Sequence, residues 1–177
     1  MLKIAVIGSS LESDKDILKK AEIIGREIAN NDCTLLVGGC RGYPEAAAKG
    51  AFDERGKVIA ISPAKNKDEH IKVYDFPTDV FTEIKYTGLG IPGRNIFVVK
   101  EADAVIMISG QIGTLNEFTI AFYAKKPIGV LTGSGGITEI VKQIAEYCDT
   151  VGEKDKIIYD PAPKELVEKL LKAIATS

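Results

Sequence analysis

The chain alternates short continuous apolar runs with longer stretches in which apolar residues recur every three or four positions. The runs read as strands buried on both faces: Leu2 to Ile7, Thr34 to Val37, Lys57 to Ile61, Ala104 to Ile108, Pro127 to Leu131 and a short Lys156 to Tyr159. The periodic stretches between them predict helices. One runs from a Ser13 cap to about Asn30, with Ile17, Leu18, Ala21, Ile24 and Ile28 on its inner face. Another spans about Pro44 to Glu54 and is rich in alanine, as close packing requires. Arg94 to Lys100, about Ile137 to Tyr147, and Pro163 to Ala175 are read as further helices. In the strongest switch of period, the run Ala104 to Ile108 ends in Ser109-Gly110-Gln111-Ile112-Gly113. From Thr114 onward Leu115, Phe118, Ala121 and Phe122 form a helical stripe.

Ser62 to Glu83 is the least regular region. It reads as a loop with minor strands near Ile71 to Tyr74 and Val80 to Ile84. Its lone His70, beside Asp68 and Glu69, reads as a solvated surface residue.

Strands alternating with helices imply a single doubly wound, mostly parallel α/β sheet over residues 1–177, Rossmann-like in class. Right-handed crossovers then bring the strand C-termini to one rim, where ligands of such sheets bind. Four small-residue turns fall on that rim: Gly8-Ser9-Ser10, Gly38-Gly39, Ser109 to Gly113, and Gly133 to Gly136. Bare N–H groups at a helix N-terminus attract anions, so the rim suits a phosphorylated ligand. Gly8, Ser9, Gly38, Gly39, Gly110, Gln111, Gly113 and Thr114 are the candidate phosphate-binding residues. Thr114 and Glu117 share a face of the first helical turns and reach the same ligand, although such a pair also serves as a helix cap.

Composition narrows the partners. With 177 residues the chain can bury roughly two-thirds of its unfolded surface in one domain. A formal net charge of −2 offers no broad basic field for nucleic acid. No apolar run approaches the ~18 residues of a membrane span, and the chain begins directly on a strand, without the look of a signal peptide. Cys33, Cys40 and Cys148 are scattered and odd in number, which suits a reducing cytoplasm. No G-x-G-x-x-G follows the first strand and no G-x-x-x-x-G-K-[ST] occurs, so NAD and P-loop ATPase chemistry are disfavoured. No His/Cys/Asp cluster has metal-ligand spacing, and neither a metal nor a cofactor is expected.

Gly110, Gly113, Thr114 and Glu117 resemble the P-G-G-x-G-T-x-x-E segment of LOG-type ("lysine decarboxylase-like") proteins, with Ser109 at the proline and Gln111 at the second glycine. Arg94 in Gly93-Arg94-Asn95 is similar to that family's arginine on the preceding helix, and Val37 to Gly42 to its earlier glycine-rich segment. Thr87-Gly88 to Arg94-Asn95 and Leu131 to Gly136 look more like a sister group of small nucleotide-binding proteins that includes molybdenum-cofactor carriers. The resemblance implies a homodimer. It also implies hydrolysis of a nucleoside 5′-monophosphate to free base and ribose 5-phosphate, with Arg94 and Glu117 as the catalytic residues. The alternatives are a non-catalytic nucleotide or pterin-cofactor carrier on the same rim, and, for Arg94 and Glu117, an ion pair that only joins two helices.

Overall fold

In the computed structural model, which describes residues 1–11, 14–149 and 152–176, all six strands expected from the apolar runs form. They are β1 (Lys3–Gly8), β2 (Thr34–Val37), β3 (Val58–Ser62), β5 (Ala104–Ile108), β6 (Ile128–Leu131) and β7 (Ile157–Asp160), joined by β4 (Glu83–Tyr86). All seven pair in parallel in the order β4-β3-β2-β1-β5-β6-β7. The chain winds outward from β1 to β4, then crosses back and winds outward from β5 to β7. The order therefore reverses between β1 and β5, where Gly8 pairs with Ile108.

Alternation along the strands explains why helices cover both faces. Ile4 and Val6 of β1, with Ile106 and Ile108 of β5, face α1 (Lys15–Asn30), α2 (Tyr43–Asp53) and α7 (Pro163–Ala175). Ala5, Ile7, Val105 and Met107 face α4 (Gly90–Glu101), α5 (Ile112–Tyr123) and α6 (Val141–Cys148). A strand buried on both sides has no polar face, which is why these segments read as continuous apolar runs. The small residues of α2 let it approach α1 backbone to backbone: a Cβ on Gly25 would lie 1.9 Å from the Ala47 carbonyl oxygen. The expected cap of α1, Ser13, lies outside the described residues. Asp14 caps the helix, accepting from the Asp16 and Ile17 amides at 2.9 and 3.1 Å. No helix among the described residues is long and apolar enough to cross a membrane.

The expected helix at 137–147 is instead a 3-10 turn, Gly136–Glu139, followed by α6. The larger difference lies in the region read as loop. Lys67–Lys72 is a helix, α3, capped by Asn66, whose side chain accepts from the Glu69 amide at 2.9 Å. Six residues are too few for a helical period to show. Ile71 to Tyr74 is not a strand, and the expected 80–84 strand begins only at Glu83.

Candidate functional site

The reversal of strand order opens a crevice at the C-terminal ends of β1 and β5, as it does in other doubly wound sheets. A cavity of about 330 Å³ occupies it. Of the candidates named from the sequence, Gly8, Ser9, Gly38, Arg94, Gln111, Gly113, Thr114 and Glu117 line this one cavity. Gly39 and Gly110 are not among the lining residues. Gly39, with φ 76°, lies instead against the His70 ring, 3.2 Å from where its Cβ would be.

One wall is the start of α5. The helix begins at Ile112, two residues earlier than its apolar period suggests, and no side chain caps it. Its first amides thus have no intrahelical acceptor and carry the positive end of the helix dipole. Gly110 permits this turn. Its φ is 102°, and a Cβ there would come within 2.3 Å of the Thr114 hydroxyl. Gln111 has φ −130°, which demands no glycine, so its side chain is accommodated and exposed.

Ser109 is fully buried with φ 53°. A proline could not stand there, because its ring holds φ near −65° and removes the amide that donates to Ser134 Oγ at 2.8 Å. The turn at Gly133 to Gly136, a candidate rim element, is a buttress for this one and lies away from the cavity. Ile137 donates to the Gly110 carbonyl at 2.8 Å, and Ser134 Oγ donates to the Leu131 carbonyl at 2.6 Å. A Cβ on Gly136 would fall 2.4 Å from the Gly110 oxygen.

The second wall is an ion pair. Arg94 Nη1 donates to Glu117 Oε1 at 2.9 Å, with both side chains about 95% buried. The pair joins adjacent helices and also faces the cavity. The guanidinium lies flat on Gly38, where a Cβ would sit 2.4–2.6 Å from three of its atoms. That close approach is what requires glycine here. Arg94 Nη1 also reaches Asn95 Oδ1 at 3.2 Å, and Asn95 Nδ2 donates to Asn116 Oδ1 at 2.9 Å. Arg94 Nε is buried without a hydrogen-bond partner. Burial pushes the Glu117 carboxyl up to about 7, and the Arg94 guanidinium pulls it back only in part. Burial likewise raises the neighbouring Cys40 thiol to about 11, which keeps it protonated and unreactive. The site thus joins an anion-attracting helix start, a cation with an unused donor, and a carboxyl group that changes charge near neutrality.

Cys40, Asn95, Ile91, Tyr74 and Phe76 also line the cavity and escaped the sequence reading. The only local signal was the aromatic pair Tyr74 and Phe76 within an otherwise polar segment. The surface reading of His70 is wrong. Its ring is 0% exposed, with Nδ1 2.8 Å from Ser62 Oγ and Nε2 2.8 Å from the Pro77 carbonyl. A carbonyl only accepts, so Nε2 carries the proton and Nδ1 accepts from the Ser62 hydroxyl.

An uncharacterized protein of Archaeoglobus fulgidus is 35% identical over 155 residues, covering 84% of this chain and 95% of that one. The molybdenum cofactor binding protein of the phototrophic bacterium Rippkaea orientalis superposes with a TM-score of 0.81 at 28% identity, covering 98% of this chain and 97% of its own. The molybdenum cofactor carrier protein of Chlamydomonas reinhardtii has the same fold, with a TM-score of 0.81 at 22% identity and 99% of each chain covered. The family model described as the SLOG cluster4 family matches residues 1–167, and with the rim, the α5 turn and the full sheet in place the chain belongs to that family.

Proposed function

We propose that the cavity binds a nucleoside 5′-monophosphate and that the protein hydrolyses it to free base and ribose 5-phosphate. The observation that carries this reading is the buried Arg94–Glu117 pair opening onto the same cavity as the α5 start. The phosphate sits on the amides of residues 112–114 and the Thr114 hydroxyl. That places the ribose toward Glu117. Cleavage of the C1′–N bond sends its electron pair to the base and leaves positive charge on the ribose ring. The Glu117 carboxylate opposes that charge and directs a water to C1′. The water's oxygen forms the new bond, and its proton ends on the departing base. Arg94 orients the phosphate or base with its unused donors. Incubation with AMP and related monophosphates tests the reading, with release of free base and ribose 5-phosphate expected.

A second reading is a carrier that holds a phosphorylated pterin, such as molybdenum cofactor, without turnover. The 28% identity to the Rippkaea orientalis protein favours it. Tight binding of a monophosphate with no product would establish it over hydrolysis. In both readings the partner is a small phosphorylated molecule. The protein works in the cytoplasm, where its free cysteines stay reduced.

Thr114→Val should weaken nucleotide binding by roughly 1.5–3 kcal/mol, the value of a hydrogen bond to a charged partner, with the fold unchanged. Calorimetry with formycin 5′-monophosphate, an AMP isostere whose C-glycosidic bond resists hydrolysis, measures this. Unchanged affinity would place the phosphate away from α5.

A homodimer through α4 and α5 completes the proposal. Ile96, Phe97 and Tyr123 are exposed on these two helices, and Ile96 and Tyr123 flank an open apolar groove with Val99 and Ile120. A helix apolar on more than one side packs against a second partner. Light scattering should give twice the chain mass at micromolar concentration; a stable monomer there would rule the dimer out.

A further inference from the structure

We infer that Tyr74 and Phe76 recognise the planar ring of the ligand, and that the buried His70 positions them. The inference rests on the proposed binding of a phosphorylated ligand and names what holds its other end. The cavity lining divides into two unlike parts. The glycine turns and the α5 start offer backbone amides and charge. Val73, Tyr74, Phe76 and Ile91 offer apolar and aromatic surface. Phosphate satisfies the first part only, so the second fits a flat heteroaromatic group.

The aromatic part is held in place. Tyr74 and Phe76 flank Asp75, whose φ of 51° turns the chain, and both rings are half-buried with centroids 5.4 Å apart. The Phe76 ring meets His70 edge-on, with centroids 5.5 Å apart at 80°. Tyr86 meets the same imidazole at 5.9 Å and 80°. The Phe76 amide donates to the His70 carbonyl at 3.1 Å. Both His70 ring nitrogens are bonded, to Ser62 and to Pro77, so the imidazole cannot swing away without losing two hydrogen bonds. At the outer edge Arg41 reaches Asp75 at 3.3 Å. Aromatic side chains bind nucleobases through their faces with little sequence demand, and a pterin ring offers the same kind of face.

The test compares ligands with and without a ring. Formycin 5′-monophosphate and 6-hydroxymethylpterin phosphate carry one, and ribose 5-phosphate does not. Calorimetry on the full chain should show the ring-bearing probes binding more tightly. Tyr74→Ala should weaken them about five- to hundredfold and leave ribose 5-phosphate unchanged. Phe76→Leu, which keeps apolar bulk, should shift the ratio the same way by less. His70→Gln should lower the ratio too if His70 positions the wall. Whichever ring-bearing probe binds more tightly identifies the ring as nucleobase or pterin. If the wild type binds all three probes and Tyr74→Ala with Phe76→Leu preserves their ratio, the aromatic wall is only structural and the inference is overturned. If the wild type binds none of them, the proposed function falls and the inference with it. Thermal unfolding of each variant separates lost contact from lost fold.

Discussion

Glu117→Gln is expected to slow release of base from AMP at least about a hundredfold while sparing most of the affinity for formycin 5′-monophosphate. The amide matches the carboxyl in size and still accepts from Arg94 through its Oε1, so the ion-pair geometry of 2.9 Å has a neutral substitute. It lacks the charge that opposes the cation on the ribose, and an interaction made only in the transition state acts on rate rather than binding. The pH profile adds an independent check. Burial raises the Glu117 carboxyl to about 7, so it is protonated and inactive below that value. Wild-type turnover should therefore climb as pH rises toward about 7 and level off above it, and that limb should vanish in Glu117→Gln. A wild type that binds the monophosphate yet turns over no faster than the variant would make Glu117 a ligand for ribose hydroxyls and the protein a carrier.

Arg94→Met is expected to cost up to about 1.4 kcal/mol more stability at pH 8 than at pH 5, because it leaves a buried carboxyl without its partner and each unit of displaced titration is worth about 1.36 kcal/mol. Glu117 has a folded-state pKa raised from 4.5 to about 7, so its contribution to stability is full below 4.5 and is lost as pH rises through about 7. Removing Arg94 takes away the attraction that holds this value down and drives it higher. Glu117 in the variant is neutral at pH 5, and at pH 8 the folded state must hold a proton that the unfolded chain has released, which favours unfolding. Urea unfolding at the two pH values measures the difference. The double variant Arg94→Met/Glu117→Gln should recover much of the loss at pH 8, since no buried charge remains. Equal losses at both values would mean that Arg94 stabilises by packing on Gly38 and not by charge.

Both experiments address a pair that sequence reasoning had located without its geometry. Glu117 was legible in a local pattern, a hydroxyl three residues before a carboxylate, whereas Arg94 was reached only through the resemblance to the LOG-type arginine. Their distance, burial and shared hydrogen bonds were not legible, because they depend on how α4 and α5 pack. The same holds for the family's second glycine. Gln111 stands where the family has its second glycine, yet its φ of −130° tolerates a side chain. The residue under real constraint is Ser109, whose positive φ no pattern of residue types announces.

By itself the sequence determined six of the seven strands to within a residue or two, the faces of the long helices and the rim on which the candidate site lies; the edge strand β4 and helix α3 it did not. What it determined follows from local period: a strand buried on both faces is apolar throughout, and an amphipathic helix repeats every three to four residues. Only the tertiary structure decided what meets at that rim. It buried His70 between Ser62 and Pro77, turned the Gly133 to Gly136 loop into a support for Gly110, and laid the Arg94 guanidinium on Gly38. It also carried Tyr74 and Phe76 from a polar segment to the cavity wall. The physical reason is that each of these contacts joins residues distant in sequence, so it is set by strand order and helix packing and leaves no periodic trace along the chain.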